Sequence, residues 1–217
     1  MENEVEHYFT EKPKSKPRYG KIFTLLRGRK FEFLTCSGVF SYKKIDRGTE
    51  LLVRRMQIGE NDRVLDLGCG YGVLGIVAAK LTKNKVILTD INKRAVMLAK
   101  RNLELNNIKN AEVRRGNLYE PVENENFDVI LCNLPITAGL EVVYKIIEGA
   151  KERLNEGGTL QVVVRKGHER VKEKILEVFG NVKTLSKRGG YRVYLAVKKS
   201  RGSLAREGAS LESSVRH

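Results

Sequence analysis

A glycine-rich turn after a hydrophobic segment is the first part of the sequence with residue types suited to chemistry. The segment covers residues 63–67 with Asp66 near its end, and the turn that follows is Gly68, Cys69, Gly70, Tyr71 and Gly72. Glycines at such a turn let a ligand approach the backbone closely. The spacing is GxGxG, so it departs from the GxGxxG of dinucleotide-binding turns. The Asp66 carboxylate favours a ligand with a cationic group over a pyrophosphate.

Further polar residues follow the next two predicted strands. Asp90 ends a strand over residues 85–89 and lies 20 residues beyond Gly70, a distance at which an acid can accept hydrogen bonds from ribose hydroxyls. Asn117 follows a strand over residues 111–115 and is placed to meet an adenine ring. S-adenosylmethionine combines a nucleoside with an ammonium and a sulfonium group. It therefore suits this set of residues.

A tetrapeptide after the predicted strand 127–132 is the candidate catalytic segment, and it consists of Asn133, Leu134, Pro135 and Ile136. An exocyclic amine on a base is a poor nucleophile because its lone pair is delocalised into the ring. If the Asn133 side-chain oxygen and the Leu134 carbonyl accept its two hydrogens, the lone pair is aimed at a methyl donor. Such a site needs no histidine as a base.

With these motifs, residues 36–198 resemble the class I S-adenosylmethionine-dependent methyltransferases. Within that class the chain is similar to the small-methyltransferase group, whose members include ribosomal-RNA base methyltransferases. That group has a DxGxGxG turn, an acid after the second strand and an Asn-Pro-Pro-aromatic tetrapeptide in this order. Residues 38–41 and 46–52 also resemble the segment that precedes its cofactor turn. Two departures are that Leu134 replaces the first proline and Ile136 replaces the aromatic residue.

The resemblance implies a set of site residues. The cofactor-binding residues would be Asp66, Gly68, Cys69, Gly70, Gly72, Asp90, Ile91, Asn117 and Asn133. Because Ile136 offers no ring, the surface that stacks on a target base would come from Phe40, Tyr71 or Tyr191. Arg192, in a basic hairpin beside Tyr191, is a further candidate for contact with RNA.

The alternation of predicted strands and helices after residue 58 indicates an α/β fold. We expect a doubly wound, Rossmann-like, mostly parallel sheet with a C-terminal antiparallel hairpin over residues 182–197. A helix over residues 140–154 would be ended by Gly157 and Gly158. Ahead of the sheet we predict a hairpin of residues 31–35 with 39–42 and a helix over residues 46–56. The predicted organisation is a basic arm, hairpin and helix (1–58), a cofactor-binding domain (59–199) and a flexible tail (200–217).

Charge is the unusual feature of the composition, since the 217 residues carry a net charge of +15. Residues 12–30 contain eight basic and no acidic side chains, and residues 165–201 contain twelve basic and three acidic ones. Such clusters indicate a polyanionic partner, above all RNA. The sequence lacks an apolar run of about 18 residues and a secretion signal, so we expect a cytoplasmic protein with no membrane contact. Three dispersed cysteines and three dispersed histidines argue against a disulfide framework and a metal site.

These observations predict a monomeric S-adenosylmethionine-dependent enzyme that methylates an exocyclic amino group in RNA, above all ribosomal RNA. Cytosine N4 and guanine N2 both remain open as the target. Three alternatives also remain. They are a protein glutamine-amide methyltransferase, a small-molecule N-methyltransferase and a non-catalytic RNA-binding assembly factor. The positive charge argues against the first, and the combination of Asp66, Asp90 and Asn133 argues against the last.

Overall fold

A computed structural model describes residues 16–200, which form a seven-stranded sheet with helices on both faces and a separate N-terminal hairpin. The hairpin strands are β1 (Tyr19–Leu26) and β2 (Arg29–Cys36). The sheet contains β3 (Val64–Leu67), β4 (Val86–Asp90), β5 (Ala111–Arg115), β6 (Phe127–Asn133), β7 (Leu154–Val164), β8 (Lys183–Arg188) and β9 (Tyr191–Val197). The helices are α1 (Arg47–Arg55), α2 (Val73–Ala79), α3 (Lys93–Leu105), α4 (Leu140–Arg153) and α5 (His168–Phe179). The predicted α/β fold is confirmed. Residues 1–15 of the predicted basic arm and residues 201–217 of the predicted tail lie outside the described residues, whereas the rest of the arm contains β1.

The strand order β5-β4-β3-β6-β7-β9-β8 places the reversal of winding between β3 and β6. Strands β3 to β7 pair in parallel, so their carboxyl ends share one edge of the sheet. Apolar side chains of these strands join two buried clusters, one packed under α1, α2 and α3 and the other under α4 and α5. Strand β9 pairs antiparallel with β7 and β8, which confirms the predicted C-terminal hairpin. In such sheets, ligands bind at the carboxyl edge where the order reverses.

Helix α2 lies close against β4 because two glycines permit it. A Cβ at Gly75 would stand 2.4 Å from the Leu88 Cγ. Gly72 precedes the helix with a φ of +97°, a conformation that side-chain-bearing residues rarely adopt. The glycine turn therefore also fixes how closely the first crossover helix packs on the sheet.

The predicted N-terminal hairpin pairs the wrong segments. Strand β2 pairs with β1, whereas residues 39–42 form turns. The β1–β2 turn has positive φ at both Arg27 (49°) and Gly28 (76°), a geometry that usually selects Asn-Gly, so the Arg-Gly pair gave little signal. The hairpin docks on α3, where Asn102 bonds both the N–H (2.7 Å) and the carbonyl (2.9 Å) of Leu34. An amide side chain thus completes the hydrogen bonds of a strand edge.

The predicted helix cap at Gly157 and Gly158 is also wrong. Helix α4 ends at Arg153, and the N–H of Leu154 bonds back to the carbonyl of Ala150. Strand β7 begins immediately, so the two glycines lie within it, and the Gly157 N–H donates to the Lys198 carbonyl at 2.8 Å. The extra strand pairing outweighs the usual preference of glycine for a helix end.

Within residues 16–200, no helix is both long and apolar enough to cross a membrane.

Candidate active site

A cleft of about 650 Å³ opens at the carboxyl edge of the sheet, where the strand order reverses. Most of the predicted site residues line it, namely Asp66, Gly68, Cys69, Gly70, Asp90, Ile91, Asn117, Asn133, Leu134, Pro135, Ile136, Phe40, Tyr71 and Tyr191. Gly72 and Arg192 do not line it. Gly72 is the N-cap of α2, where a Cβ would meet the Ile76 side chain at 3.2 Å. The Arg192 guanidinium bonds to the Tyr191 carbonyl at 3.0 Å.

The glycine turn presents bare backbone to this cleft. The N–H groups of Gly68 and Cys69 both donate to the Thr89 carbonyl at 2.9 Å, which fixes the turn against β4. Gly68 and Gly70 have positive φ angles of 71° and 56°, and a Cβ at either position would meet nothing within 4 Å. A ligand can therefore approach the main chain of the turn from the open side.

Asp66 is a fully buried carboxylate with spare hydrogen-bonding capacity. Its Oδ2 accepts the Gly75 N–H at 2.7 Å, whereas its buried Oδ1 has no partner among the described residues. Burial raises the pKa of Asp66 to about 7, against the lowering effect of the Gly75 hydrogen bond. An unpaired buried carboxylate oxygen is stabilised by a nearby cationic ligand. The position therefore fits a ligand with an ammonium or sulfonium group.

Asp90 lies beside the turn at the end of β4. Its Oδ2 accepts the Gly70 N–H and its Oδ1 accepts the Asn92 N–H, both at 2.8 Å. Burial raises the pKa of Asp90 to about 6, and these backbone hydrogen bonds oppose the rise. A carboxylate has about four lone-pair sites, so each oxygen retains capacity for a ribose hydroxyl. Ile91 and the exposed Asn117 line the same side of the cleft.

The candidate catalytic tetrapeptide begins at the end of β6. The Asn133 Nδ2 donates to the Asp46 Oδ2 at 3.1 Å and to the Thr49 Oγ1 at 3.0 Å. Pro135, with φ −80° and ψ 70°, forms an inverse γ-turn in which the Ile136 N–H donates to the Leu134 carbonyl at 2.9 Å. That carbonyl keeps a second lone pair. The segment thus offers two acceptors, the Asn133 Oδ1 and the Leu134 oxygen.

Three aromatic residues were predicted as stacking surfaces, and they differ in exposure. Phe40 is 43% exposed at the cleft, whereas Tyr71 is only 4% exposed and its ring packs edge-on against Phe33. Tyr191 is partly buried, and its hydroxyl donates to the Asp46 Oδ1 at 3.1 Å. Ile136 is half-buried in a short 3₁₀ turn. Phe40 is the most accessible ring of the three, and stacking stays a prediction.

Among the cleft residues that sequence reasoning did not assign to the site are Asp46, Thr49, Arg165 and Lys166. Asp46 and Thr49 belong to the segment that resembled the family, but no spacing rule linked them to Asn133, which is 87 and 84 residues away. Arg165 and Lys166 directly follow β7, at the same edge as Asn133. Their position after a parallel strand was a usable signal.

Cleft thiols and metal ligands offer no alternative chemistry among the described residues. Cys69 and Cys132 line the cleft, and burial raises the pKa of both thiols, so they stay protonated at neutral pH. In residues 16–200, no three His, Cys, Asp or Glu side chains are grouped so that they could hold a metal ion. Among the described residues, the polar groups of the cleft that remain to act on a ligand are carboxylates, side-chain amides, hydroxyls, backbone groups and the cations of Arg165 and Lys166.

The class I methyltransferase architecture is defined by a doubly wound sheet with three features. A glycine turn follows its first strand, here β3, an acid lies at the end of its second strand, here β4, and an Asn-x-Pro segment lies at the end of its fourth strand, here β6. The sequence pattern of the methyltransferase small domain family matches residues 30–195. The chain belongs to this family, and the predicted resemblance to S-adenosylmethionine-dependent methyltransferases of the small-methyltransferase group is confirmed.

Relatives of known name extend this result. The chain is 38% identical to the uncharacterized protein YbxB of Bacillus subtilis, over 89% of this chain and 98% of that protein. It is 35% identical to ribosomal RNA small subunit methyltransferase C of Haemophilus influenzae, over 72% of this chain and 48% of that enzyme. A solved structure of the T. thermophilus 16S rRNA N2 methyltransferase RsmC, with AdoMet and guanosine, covers 86% of this chain with 28% identity and a TM-score of 0.76. The chain spans about half the length of these two rRNA methyltransferases.

Proposed function

We propose that this protein transfers a methyl group from S-adenosylmethionine to an exocyclic amino nitrogen of a base in ribosomal RNA. The observation that carries the proposal is the Asn133 amide. Both of its hydrogens are engaged by Asp46 and Thr49, so the atom left to serve a cleft ligand is the acceptor Oδ1. A site built of acceptors suits a substrate that brings N–H donors, as an amino group does.

The cofactor side of the cleft suits S-adenosylmethionine. Asp66 would favour its cationic methionine end, the turn of Gly68 and Gly70 would admit it against the backbone, and Asp90 would accept from the ribose. Asn117 would lie beside the adenine ring. When bound, the cofactor supplies an electrophilic methyl group on its sulfonium sulfur.

The chain's own contribution is to hold and polarise the amine. The Asn133 Oδ1 and the Leu134 carbonyl accept its two hydrogens, which draws the nitrogen toward tetrahedral geometry and frees its lone pair. The hydrogen bonds to both acceptors become stronger as positive charge develops on the nitrogen. The excess proton then leaves to water. No buried base is needed for this last step.

A basic rim beside Tyr191 supports RNA as the carrier of the base. The Arg165 guanidinium lies 5.6 Å from the Tyr191 ring centroid, and Arg165 and Lys166 are both exposed where they line the cleft. Exposed guanidinium and ammonium groups at the mouth would hold the phosphates around an unpaired or flipped nucleotide. The guanosine in the T. thermophilus relative favours guanine N2 over cytosine N4 as the target.

A substrate survey tests the proposal. The purified protein is given labelled S-adenosylmethionine with unmodified naked ribosomal RNA, immature ribosomal subunits, transfer RNA and total protein, and RNA products are digested for nucleoside mass spectrometry. We expect N2-methylguanosine, or else N4-methylcytidine, from ribosomal RNA or subunits. Label in protein, or in no macromolecule despite cofactor binding, would overturn the proposal and favour an amide or small-molecule substrate.

A further inference from the structure

A hydrogen-bonded network at the cleft wall is centred on the carboxylate of Asp46. Its Oδ2 accepts the Thr49 N–H at 3.0 Å and the Asn133 Nδ2 at 3.1 Å. Its Oδ1 accepts the Tyr191 hydroxyl at 3.1 Å. The network therefore joins the start of α1, the end of β6 and the start of β9, three segments that are far apart in the sequence.

This network determines which end of the Asn133 amide is available to a substrate. A carboxylate can only accept hydrogen bonds, so the NH₂ of Asn133 must face Asp46. In the flipped orientation, the amide oxygen would face the carboxylate and the NH₂ would face the cleft. The Thr49 hydroxyl cannot enforce the choice alone, because a hydroxyl can donate as well as accept.

We propose that Asp46 is a positioning residue for methyl transfer, one that locks the Asn133 amide with its oxygen available to the substrate amine. This inference rests on the proposed function. Without the lock, the Asn133 amide samples both orientations. In the flipped orientation its NH₂ faces the amino group of the substrate, so two hydrogen-bond donors face each other. The expected effect is on the rate of transfer and not on substrate affinity.

Asp46 also has a structural role from which positioning must be separated, because it is the N-cap of α1. Serine caps helices about as well as aspartate. Asp46→Ser therefore keeps the cap, but its hydroxyl is too short to serve Thr49 and Asn133 together. Asp46→Asn keeps the cap and an oxygen at the Oδ2 position, and its NH₂ can donate to the Tyr191 hydroxyl. Both variants retain the cap. They differ in the bond to Asn133 and also in the bond to Tyr191, which only Asp46→Asn keeps.

Steady-state kinetics provides the first test, with the RNA that the wild type methylates. For Asp46→Ser we expect kcat to fall about ten- to hundredfold, the size typical of a misplaced catalytic group, with KM and the cofactor Kd little changed. Asp46→Asn should stay within about threefold of the wild type, since its amide oxygen restores the same bond. Equal kcat values for the two variants would overturn the proposal. If both variants keep the wild-type kcat, Asp46 acts only as a helix cap. If both are slowed to the same extent, the negative charge of Asp46 is the property that matters.

Nuclear magnetic resonance provides a second test that does not depend on finding the substrate. The side-chain amide signals of Asn133, assigned by their loss in Asn133→Ala, should exchange slowly with solvent in the wild type and in Asp46→Asn. In Asp46→Ser they should exchange faster and move toward the shifts of a free amide. Unchanged signals in Asp46→Ser would overturn the positioning role. A wild type that fails to methylate RNA but shows the expected signals would count against the proposed function alone.

Discussion

The buried carboxylate of Asp66 should make the cofactor-free protein less stable, and Asp66→Asn should reveal the cost. The side chain is 0% exposed, its Oδ1 has no partner among the described residues, and burial raises its pKa from 3.8 to about 7. An acid with a raised pKa holds its proton in the folded state while the unfolded chain has lost it. The free energy of unfolding therefore falls as pH rises from about 4 to about 7.

The size of this effect follows from the shift. Roughly three pKa units at 1.36 kcal/mol each give about 4 kcal/mol, an upper bound for the stability lost between pH 4 and pH 8. Asp66→Asn removes the titration but leaves a buried NH₂ in place of the unpartnered oxygen, at a cost of roughly 1–3 kcal/mol. The variant should thus be about 1–3 kcal/mol less stable than the wild type near pH 4 and up to about 1–3 kcal/mol more stable at pH 8.

Urea unfolding of both proteins between pH 4 and pH 8, with and without S-adenosylmethionine, measures this directly. Comparing the two proteins at each pH isolates Asp66 from the other carboxylates. The cofactor should stabilise the wild type much more than Asp66→Asn, because the cationic ligand favours the ionised carboxylate. A stability difference that does not change with pH, or an undiminished response of Asp66→Asn to the cofactor, would refute the reasoning.

Three further predictions concern the rim, the sheet and the hairpin. The double variant Arg165→Ala/Lys166→Ala should bind RNA with a weaker salt dependence. In filter binding, the magnitude of the slope of log affinity against log salt should fall by about 1 for each phosphate that these side chains neutralise. Lys100→Ala with Arg101→Ala, the same charge change on exposed residues outside the cleft, should leave RNA affinity nearly unchanged. Gly75→Ala should cost about 1–3 kcal/mol in urea unfolding, because its Cβ would overlap Leu88, and an undiminished stability would contradict the packing. Asn102→Ala should expose the Leu34 amide to faster hydrogen exchange, whereas unchanged protection of that amide would mean that Asn102 does not hold this strand edge.

The parts of the fold that sequence reasoning recovered are those determined by local patterns. Strands β3, β4 and β6 are mostly buried and hydrophobic, and β5 was predicted over its observed residues, Ala111–Arg115. Asp66, Asp90 and Asn133 were placed correctly at one edge because each is the last or next-to-last residue of a parallel strand. The order of the strands in the sequence is enough to locate such residues at the ligand-binding edge of the sheet.

The parts that were missed depend on contacts between distant segments. Residues 31–35 of β2 were predicted as a strand, but its partner β1 was not, because β1 is held by its pairing with β2 and carries no strong local signal. The sequence places Asp46 at the start of the predicted helix 46–56, and only the tertiary fold brings it to Asn133. A residue with both a local and a distant partner is readily assigned to the local one.

Single-turnover methyl transfer to ribosomal RNA by the wild type and by Asn133→Ala, with the cofactor Kd measured in parallel, tests whether the Asn133 amide holds the substrate amine. We expect the rate of the variant to be lower by about a hundredfold or more, as for loss of an oriented acceptor, with a much smaller change in cofactor affinity. Transfer at the wild-type rate by Asn133→Ala would contradict this role.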